Sequence, residues 1–165
     1  AVMTYYNIAY HMGLERFARS LRRSGIAGAI LPDMPLSEAG PWTTAANDAQ
    51  VESVLMVAPT TTARGLGQIC ERSQGFVYAV GLLGVTGVRE ELARSATAIA
   101  KRCKAVTDKP VLVGVGVGTP GQAAQVAEVA DGCVVGTAVV RSLMDGGPDA
   151  VGELVTDFRS ALDAG

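Results

Sequence analysis

Short apolar runs alternate with amphipathic segments along almost the whole chain. The runs are rich in β-branched residues and alternate little with polar ones, a pattern typical of strands covered on both faces. They predict six strands, at residues 2–8, 27–31, 51–58, 75–80, 111–117 and 133–135. The intervening segments predict helices at residues 13–24, 37–49, 92–106, 122–130, 137–144 and 148–164, and one more that starts after a threonine at 60–62 and ends at residue 72.

Six strands that alternate with helices predict an α/β protein with a parallel sheet and right-handed crossovers. The predicted strand ends all carry glycine, proline or a polar residue, at Asn7, residues 32–35, Pro59, residues 81–87, Gly116 and Gly136. A doubly wound sheet concentrates function at one switch point, whereas a barrel brings all its strand ends to one mouth. The sequence therefore predicts a TIM (β/α)8 barrel, of which this chain supplies about six βα units.

A barrel of eight strands leaves two βα units to be found. We expect them before Ala1, so that residues 1–165 form a single domain that is the C-terminal portion of the barrel. An open sheet edge is normally paired or covered. The upstream units are therefore expected either on the same chain or on a second one.

Residues 109–140 carry the strongest chemical signal. Two predicted strands end there in glycine followed by a hydroxyl residue and a helix start, at Gly116 to Thr119 and at Gly136 to Thr137. Glycine lets backbone N–H groups approach an anion, and a helix N-terminus favours negative charge. One such glycine is most simply a tight turn, but two on adjacent strands predict a phosphate site, aided by the short helix at 137–144.

Gly116 to Gly121 also satisfies the dinucleotide pattern G-x-G-x-x-G between a strand and a helix. That pattern requires an acidic residue at the end of the next strand to bind a ribose. The next strand ends in Gly136 and Thr137 instead. A dinucleotide site is therefore the weaker alternative.

Composition excludes several other classes. The net charge of −2 provides no basic surface for nucleic acid or an anionic membrane, and no apolar run is long enough to predict a membrane span. Cys70, Cys103 and Cys133 are widely spaced, and His11 is the only histidine, so neither disulfides nor a metal site nor a catalytic triad is indicated. We expect a cytoplasmic protein.

Six segments, in order, carry a resemblance to a known family: VMTYYN, AILPDMP, MVAPTT, GFVYAVGLLGVTGVR, VGVGVGTPGQA and GCVVGTAVV. Together they resemble the alpha subunit of tryptophan synthase, from its third barrel strand to its last helix. The resemblance implies a lyase of tryptophan biosynthesis that cleaves indole-3-glycerol phosphate to indole and glyceraldehyde 3-phosphate in a retro-aldol reaction. It also implies no cofactor on this chain and a tryptophan synthase beta subunit that carries pyridoxal phosphate and receives the indole.

The resemblance implies roles for individual residues as well. The phosphate-binding positions are matched by Gly87, Val115, Gly116, Gly136 and Thr137. The substrate-binding positions are matched by Met3, Tyr5, Ile30, Met56, Tyr78 and Thr86, of which Thr86 belongs to a mobile loop at 84–89. Ordinary barrel packing explains each apolar member equally well when it is taken singly. Asn7 and Pro35 match positions that contact the beta subunit.

The catalytic residues are the main departure from the family. Its general acid–base glutamate and its indole-binding aspartate correspond to positions before Ala1, so no catalytic residue is expected within this segment, and the segment alone is expected to be inactive. Asp33 is the nearest carboxylate, but it fits a turn residue better. The alternatives are a non-catalytic partner that only activates a beta subunit, or another phosphate-binding barrel such as indole-3-glycerol phosphate synthase or phosphoribosylanthranilate isomerase.

Overall fold

The computed structural model describes residues 1–81, 89–114 and 116–164. This part of the chain contains six strands: β1 (Val2–Met3), β2 (Gly28–Ile30), β3 (Glu52–Val57), β4 (Val77–Val80), β5 (Val111–Gly114) and β6 (Gly132–Val134). Its α-helices are α1 (Tyr6–Met12), α2 (Leu14–Arg23), α3 (Ala39–Asp48), α4 (Ala63–Arg72), α5 (Arg89–Lys104), α6 (Pro120–Ala127) and α7 (Thr137–Asp163), and a 3-10 turn spans Leu36–Glu38. The strands follow the order β1 to β6 in the sheet, as along the chain. Each of the six predicted strand ranges therefore overlaps an observed strand.

The chain divides into two compact units, one comprising residues 1–56 and 62–77 and the other residues 57–61 and 78 onward. The first unit is built on parallel pairing of β1 with β2 and of β2 with β3. Its core lies between these strands and the helices, where Phe17 of α2 and Trp42 of α3 are buried with their ring centroids 5.7 Å apart. The prediction of a single domain stays a prediction.

The strand register gives the sheet of the first unit two distinct faces. Ala29 and Leu31 belong to the core that packs against the helices. Successive side chains of a strand point to opposite faces, so Ile30 points away from that core. Met3, Ile30 and Val54 are registered partners and therefore form one row on the face opposite the helices.

The predicted first strand is wrong over most of its length. Pairing ends at Thr4, whose N–H bonds to the Ile30 carbonyl at 3.1 Å, and helix α1 begins two residues later at Tyr6. The Tyr6 N–H then donates to the Asp33 carboxylate at 2.7 Å. Asn7 accordingly lies in the first turn of a helix instead of at a strand end. The apolar run favoured a strand locally, but a contact from 27 residues away favours the helix.

Two other predicted helix features can be compared directly. Thr62 caps α4, because its hydroxyl accepts the Gly65 N–H at 3.2 Å, so the last of the three candidate threonines is the N-cap. Helix α7 contains a break at Gly147, immediately before Pro148, where the backbone is non-helical. The two predicted helices at 137–144 and 148–164 are thus present as two segments on either side of Gly147.

The second unit is built on the parallel pair β5 and β6, with helices α5 and α6 packed beside it. The first residues of this pair are fixed by Asp131, whose carboxylate accepts the Val111 N–H at 2.8 Å and contacts the Lys104 ammonium at 3.0 Å. The Asp131 N–H donates to the Val111 carbonyl at 3.0 Å. These bonds set the register that carries through to the other end of both strands.

Candidate functional site

Strands β5 and β6 end side by side. Their last registered pair is Gly114 with Val134, and Gly116 and Gly136 each lie two residues further along their own strands. Gly116 has φ +92°, a conformation that a residue with a side chain rarely adopts. Both glycines are exposed. The two predicted glycine ends therefore belong to neighbouring, registered strands.

The N-terminus of α6, which follows β5, is closed by its own side chains. The Thr119 hydroxyl accepts the Gln122 N–H at 3.3 Å, and the Gln122 side-chain oxygen accepts the Gly118 and Thr119 N–H groups at 2.8 and 3.2 Å. Pro120 at the first helical position has no N–H to offer. This capping box leaves little of the helix end for an anion, which argues against the dinucleotide alternative.

The N-terminus of α7, which follows β6, is open by comparison. Gly136 is its N-cap, and within the described part of the chain no side-chain hydrogen bond caps this helix. The first intrahelical bond runs from the Val140 N–H to the Gly136 carbonyl at 3.1 Å. The N–H groups of residues 137–139 therefore have no partner within the helix. Thr137 is exposed at the first helical position and adds a hydroxyl. Backbone N–H groups with a hydroxyl beside them are suited to a phosphate.

Tyr78 on β4 is packed against β5. It is 4% exposed, and a Cβ built at Gly114 would overlap its hydroxyl and ring. Gly114 therefore makes room for the tyrosine. Burial raises the pKa of the Tyr78 hydroxyl above its ordinary value, so the group keeps its proton at neutral pH and can donate a hydrogen bond.

The predicted indole-side residues all lie in the first unit. Met3 and Ile30 are registered partners on one face of the sheet, and Met56 follows Val54 of the same row by two residues. Ile30 is buried, Met56 is half-buried and Met3 is exposed. Tyr5 lies beyond the strand as the N-cap of α1 and is 65% exposed. The structure thus brings three of these four side chains to one apolar face.

The two predicted partner contacts are both exposed. Asn7 is in α1, and Pro35 is the residue before the 3-10 turn. Asp33 lies between them in the turn after β2, closed by the Met34 N–H bonding to the Leu31 carbonyl at 3.2 Å. The interpretation of Asp33 as a turn residue is confirmed, and its carboxylate is engaged with the N-terminus of α1.

Four predictions fall outside the described residues. They are the roles of Thr86, Gly87 and Val115 and the closing loop at 84–89, of which only residue 89 is described, at the start of α5. Within the described part of the chain, no group of three or more His, Cys, Asp or Glu side chains is placed to hold a metal ion. Nor does any described helix have the length and apolarity needed to cross a bilayer.

Sequence reasoning missed three structural roles. Gly114 could have been noticed as a glycine inside a strand, which indicates close approach by another group. Arg102 of α5 donates to the Pro59 and Thr61 carbonyls at 3.2 and 2.6 Å and so fixes the loop after β3, but no local pattern signals this. The bond from Tyr6 to Asp33 likewise has no local signature.

The fold and the two strand ends define the class of this protein: a parallel α/β chain that supplies six βα units of a (β/α)8 barrel, with an open helix N-terminus after its last strand. A family model described as "Tryptophan synthase alpha chain" matches residues 1–158, and this chain belongs to that family. The family resemblance and the barrel class predicted from the sequence are confirmed.

Individual relatives agree. The chain is 41% identical to the tryptophan synthase alpha chain of Mycobacterium tuberculosis over 99% of this chain and 62% of the relative. It is 43% identical to the corresponding chain of Streptomyces coelicolor over 92% of this chain and 56% of the relative. A solved structure of M. tuberculosis tryptophan synthase matches with a TM-score of 0.90 and 39% identity, over all of this chain and 63% of that one. The chain therefore spans about three fifths of the length of these relatives.

Proposed function

We propose that this chain is part of a lyase that cleaves indole-3-glycerol phosphate to indole and glyceraldehyde 3-phosphate. The observation that carries the proposal is the open N-terminus of α7 at Gly136, beside the glycine end of β5. Membership of the tryptophan synthase alpha chain family supplies the reaction. The glycerol phosphate end of the substrate binds at this open end.

The phosphate is held mainly by the backbone. The first-turn N–H groups of α7 and the Thr137 hydroxyl donate to its oxygens, and Gly116 lets the end of β5 come close because no side chain stands there. Gly87 and Val115 complete the proposed set. The positive end of the helix dipole adds to the attraction, typically by about 0.3–1 kcal/mol at an exposed terminus.

The indole ring requires an apolar surface and the reacting carbons require a proton donor and acceptor. Met3, Ile30 and Met56 offer the apolar surface, with Tyr5 at its edge. Tyr78, protonated at neutral pH, donates to the oxygens of the glycerol phosphate, and Thr86 acts from the closing loop. Retro-aldol cleavage removes a proton from a hydroxyl and delivers one to the carbon that leaves, which needs a positioned acid–base group.

No such acid–base group is proposed within residues 1–165. The proposed glutamate and aspartate belong to the two βα units that precede this segment in a complete barrel. The chain itself needs no cofactor in this scheme, since pyridoxal phosphate belongs to a beta subunit that binds near Asn7 and Pro35. The cytoplasmic location also remains a prediction.

The decisive experiment compares two proteins: residues 1–165 alone, and an extended chain that carries the two preceding βα units as well. We expect the extended chain to release indole from indole-3-glycerol phosphate, and the shorter one to release none. Inorganic phosphate should compete with the substrate for the extended chain. An extended chain that stimulates a beta subunit but releases no indole would instead be a non-catalytic partner.

A further inference from the structure

The Asp33 carboxylate makes a long-range contact that the proposed reaction does not use. It accepts the Tyr6 N–H at 2.7 Å, although the two residues are 27 positions apart. Tyr6 is the first residue of α1, and Asp33 lies in the turn after β2. The bond therefore ties the segment after β1 to the segment after β2, both within the first compact unit.

Helix α1 has few means of its own to begin at Tyr6. It has only seven residues, no acidic residue in its first turn and no side-chain bond from its N-cap, Tyr5. Isolated helices shorter than about 12 residues are marginal in water because the first turn is costly to nucleate. Asp33 takes the place of the missing cap, and its negative charge suits the helix N-terminus.

The helix that Asp33 fixes carries several apolar side chains that the described residues leave exposed. Tyr5, Ile8, Tyr10 and Met12 are 65%, 49%, 64% and 43% exposed, whereas Ala9 is fully buried against the core. Tyr5, Ile8 and Met12 are spaced three and four residues apart and so share one side of the helix. We name Tyr5, Ile8 and Met12 the α1 surface. Apolar side chains grouped in this way form a surface that a neighbouring segment or a partner covers.

Both predicted partner contacts are next to this bond. Asn7 follows Tyr6 directly in the chain, and Pro35 is two residues from Asp33. The α1 surface therefore continues from the residues proposed to contact a beta subunit. The occupant that the family resemblance implies is a beta subunit, and a solved structure of tryptophan synthase matches all of this chain.

We propose that Asp33 is a positioning residue for partner binding: its bond to Tyr6 fixes α1 and the turn at 32–35 relative to each other, so that both meet the beta subunit as one rigid surface. This inference rests on the proposed function, since it requires a beta subunit. It assigns Asp33 no part in carbon–carbon cleavage. Without the bond, α1 must be ordered when the partner binds, and that ordering weakens affinity.

The test removes each half of the bond separately in the extended chain. Asp33→Ala removes the acceptor, and Asp33→Asn keeps an oxygen in its place. Tyr6→Pro removes the donor N–H; proline suits the first position of a helix, and Tyr5 already has φ −69° and ψ 144°, as the residue before proline requires. Tyr6→Ala is the matched control, because it loses the same ring and keeps the N–H. Asp48→Ala is a second control, at an exposed aspartate of α3.

The measurement is the Kd of each extended chain for a tryptophan synthase beta subunit, by isothermal titration. We expect Asp33→Ala and Tyr6→Pro each to raise the Kd about tenfold or more, the scale of a lost hydrogen bond to a charged group. Their combination should cost little beyond either one, since both remove the same bond.

The Kd of Asp33→Asn, Tyr6→Ala and Asp48→Ala should stay within about threefold of the parent value, a smaller change than the loss of one ordinary hydrogen bond would cause. Indole release without the beta subunit should stay within about twofold in all variants, because none of the changed residues is assigned a part in carbon–carbon cleavage. A twofold rate change corresponds to only about 0.4 kcal/mol.

Several outcomes would overturn the inference. An unchanged Kd in Asp33→Ala or Tyr6→Pro, with the parent binding normally, would reject it and leave the proposed function intact. Additive losses in the double variant would show that the two residues act separately. Self-association of the parent that disappears in Asp33→Ala would assign the α1 surface to a second copy of this chain. A parent that binds no beta subunit at all would instead reject the partner part of the proposed function.

Discussion

Helices α6 and α7 have similar sequences before their N-termini, but one N-terminus is capped by side chains and the other is not. Helices α6 and α7 each follow a strand that ends in glycine, and the two strands, β5 and β6, are registered neighbours. The capping box of Thr119 and Gln122 closes the N-terminus of α6. At α7 the N-cap is Gly136, which has no side chain, and no other described residue caps this end.

The difference shows what separates a structural helix end from a binding site. A capping side chain forms hydrogen bonds with the first N–H groups of a helix. It therefore stabilises the helix, but those N–H groups can no longer bind a ligand. Glycine at the N-cap gives up only a few tenths of a kcal/mol relative to serine or threonine. An anion can then satisfy the same N–H groups. Helix α6 thus supports the fold, whereas α7 is proposed to bind the phosphate.

The largest expected effect comes from closing α7 with a charge. Gly136→Asp places a carboxylate at the N-cap, and a Cβ there meets nothing within 4 Å. Two unit charges 4 Å apart repel by about 1 kcal/mol in water and about 4 kcal/mol near a protein surface, so phosphate binding should weaken at least about fivefold. The dissociation constant of inorganic phosphate for the extended chain provides the measurement.

Gly136→Asn is the matched control, since it has the same shape without the charge. Both variants should keep or slightly raise the unfolding temperature, because each supplies a cap. Equal phosphate affinity in the aspartate and asparagine variants would show that no anion binds at this helix.

The second-largest expected effect is on stability, and it depends on the different φ angles of Gly116 and Gly136. Gly116 has φ +92° and Gly136 has φ −114°, so only the first needs glycine for its conformation. Gly116→Ala should destabilise the extended chain by about 1–2 kcal/mol. Gly136→Ala should cost less, because it changes only the cap. Urea unfolding of both variants measures the difference, and equal losses would contradict this explanation.

Opening α6 should give the converse result. Thr119→Ala removes the hydroxyl that accepts the Gln122 N–H, with an expected loss of about 1 kcal/mol in the free energy of unfolding. Phosphate affinity should remain unchanged, since the site is at α7. Thr119→Ser keeps the hydroxyl and should retain stability. A marked loss of phosphate affinity in Thr119→Ala would mean that α6 also contributes to the site.

Much of this comparison could be predicted from local sequence. The six strands and the glycine ends of β5 and β6 could be predicted because apolar runs and turn residues are local signals. The pattern T-x-x-Q at Thr119 to Gln122 is also a readable capping signature. The open end at α7 could be predicted because glycine, which has no capping side chain, occupies the N-cap position.

What could not be predicted depends on contacts between distant residues. Residues 2–8 have the composition of a strand, and the choice of helix from Tyr6 depends on Asp33, which no local pattern reveals. The same holds for Arg102, which binds carbonyls more than 40 residues earlier in the chain. The packing of Tyr78 against Gly114 joins two strands whose pairing becomes known only with the fold.

The smallest effect lies at the opposite end of the β5–β6 pair, at Asp131. The hydrogen bond from the Val111 N–H lowers the pKa of this carboxyl, Lys104 lowers it further, and burial partly opposes both. A carboxyl whose pKa is lowered by folding contributes stability above its ordinary pKa and loses that contribution as the pH falls through the folded value. Asp131→Asn should therefore be less stable than the parent at pH 6, and the gap should close below about pH 4.

The gap at pH 6 should be below about 1 kcal/mol, because the Asp131 side chain is 40% exposed and solvent screens its contact with Lys104. Urea unfolding of the two proteins from pH 6 to pH 3 provides the measurement. Lys104→Gln is the control: it removes the ammonium but keeps the bond to Val111, so most of the pH dependence should persist. A gap that is constant with pH would mean that Asp131 acts by shape alone. Phosphate affinity at pH 6 should be the same in all three proteins, because Asp131 fixes the start of the two strands and the phosphate is proposed to bind beyond their other end.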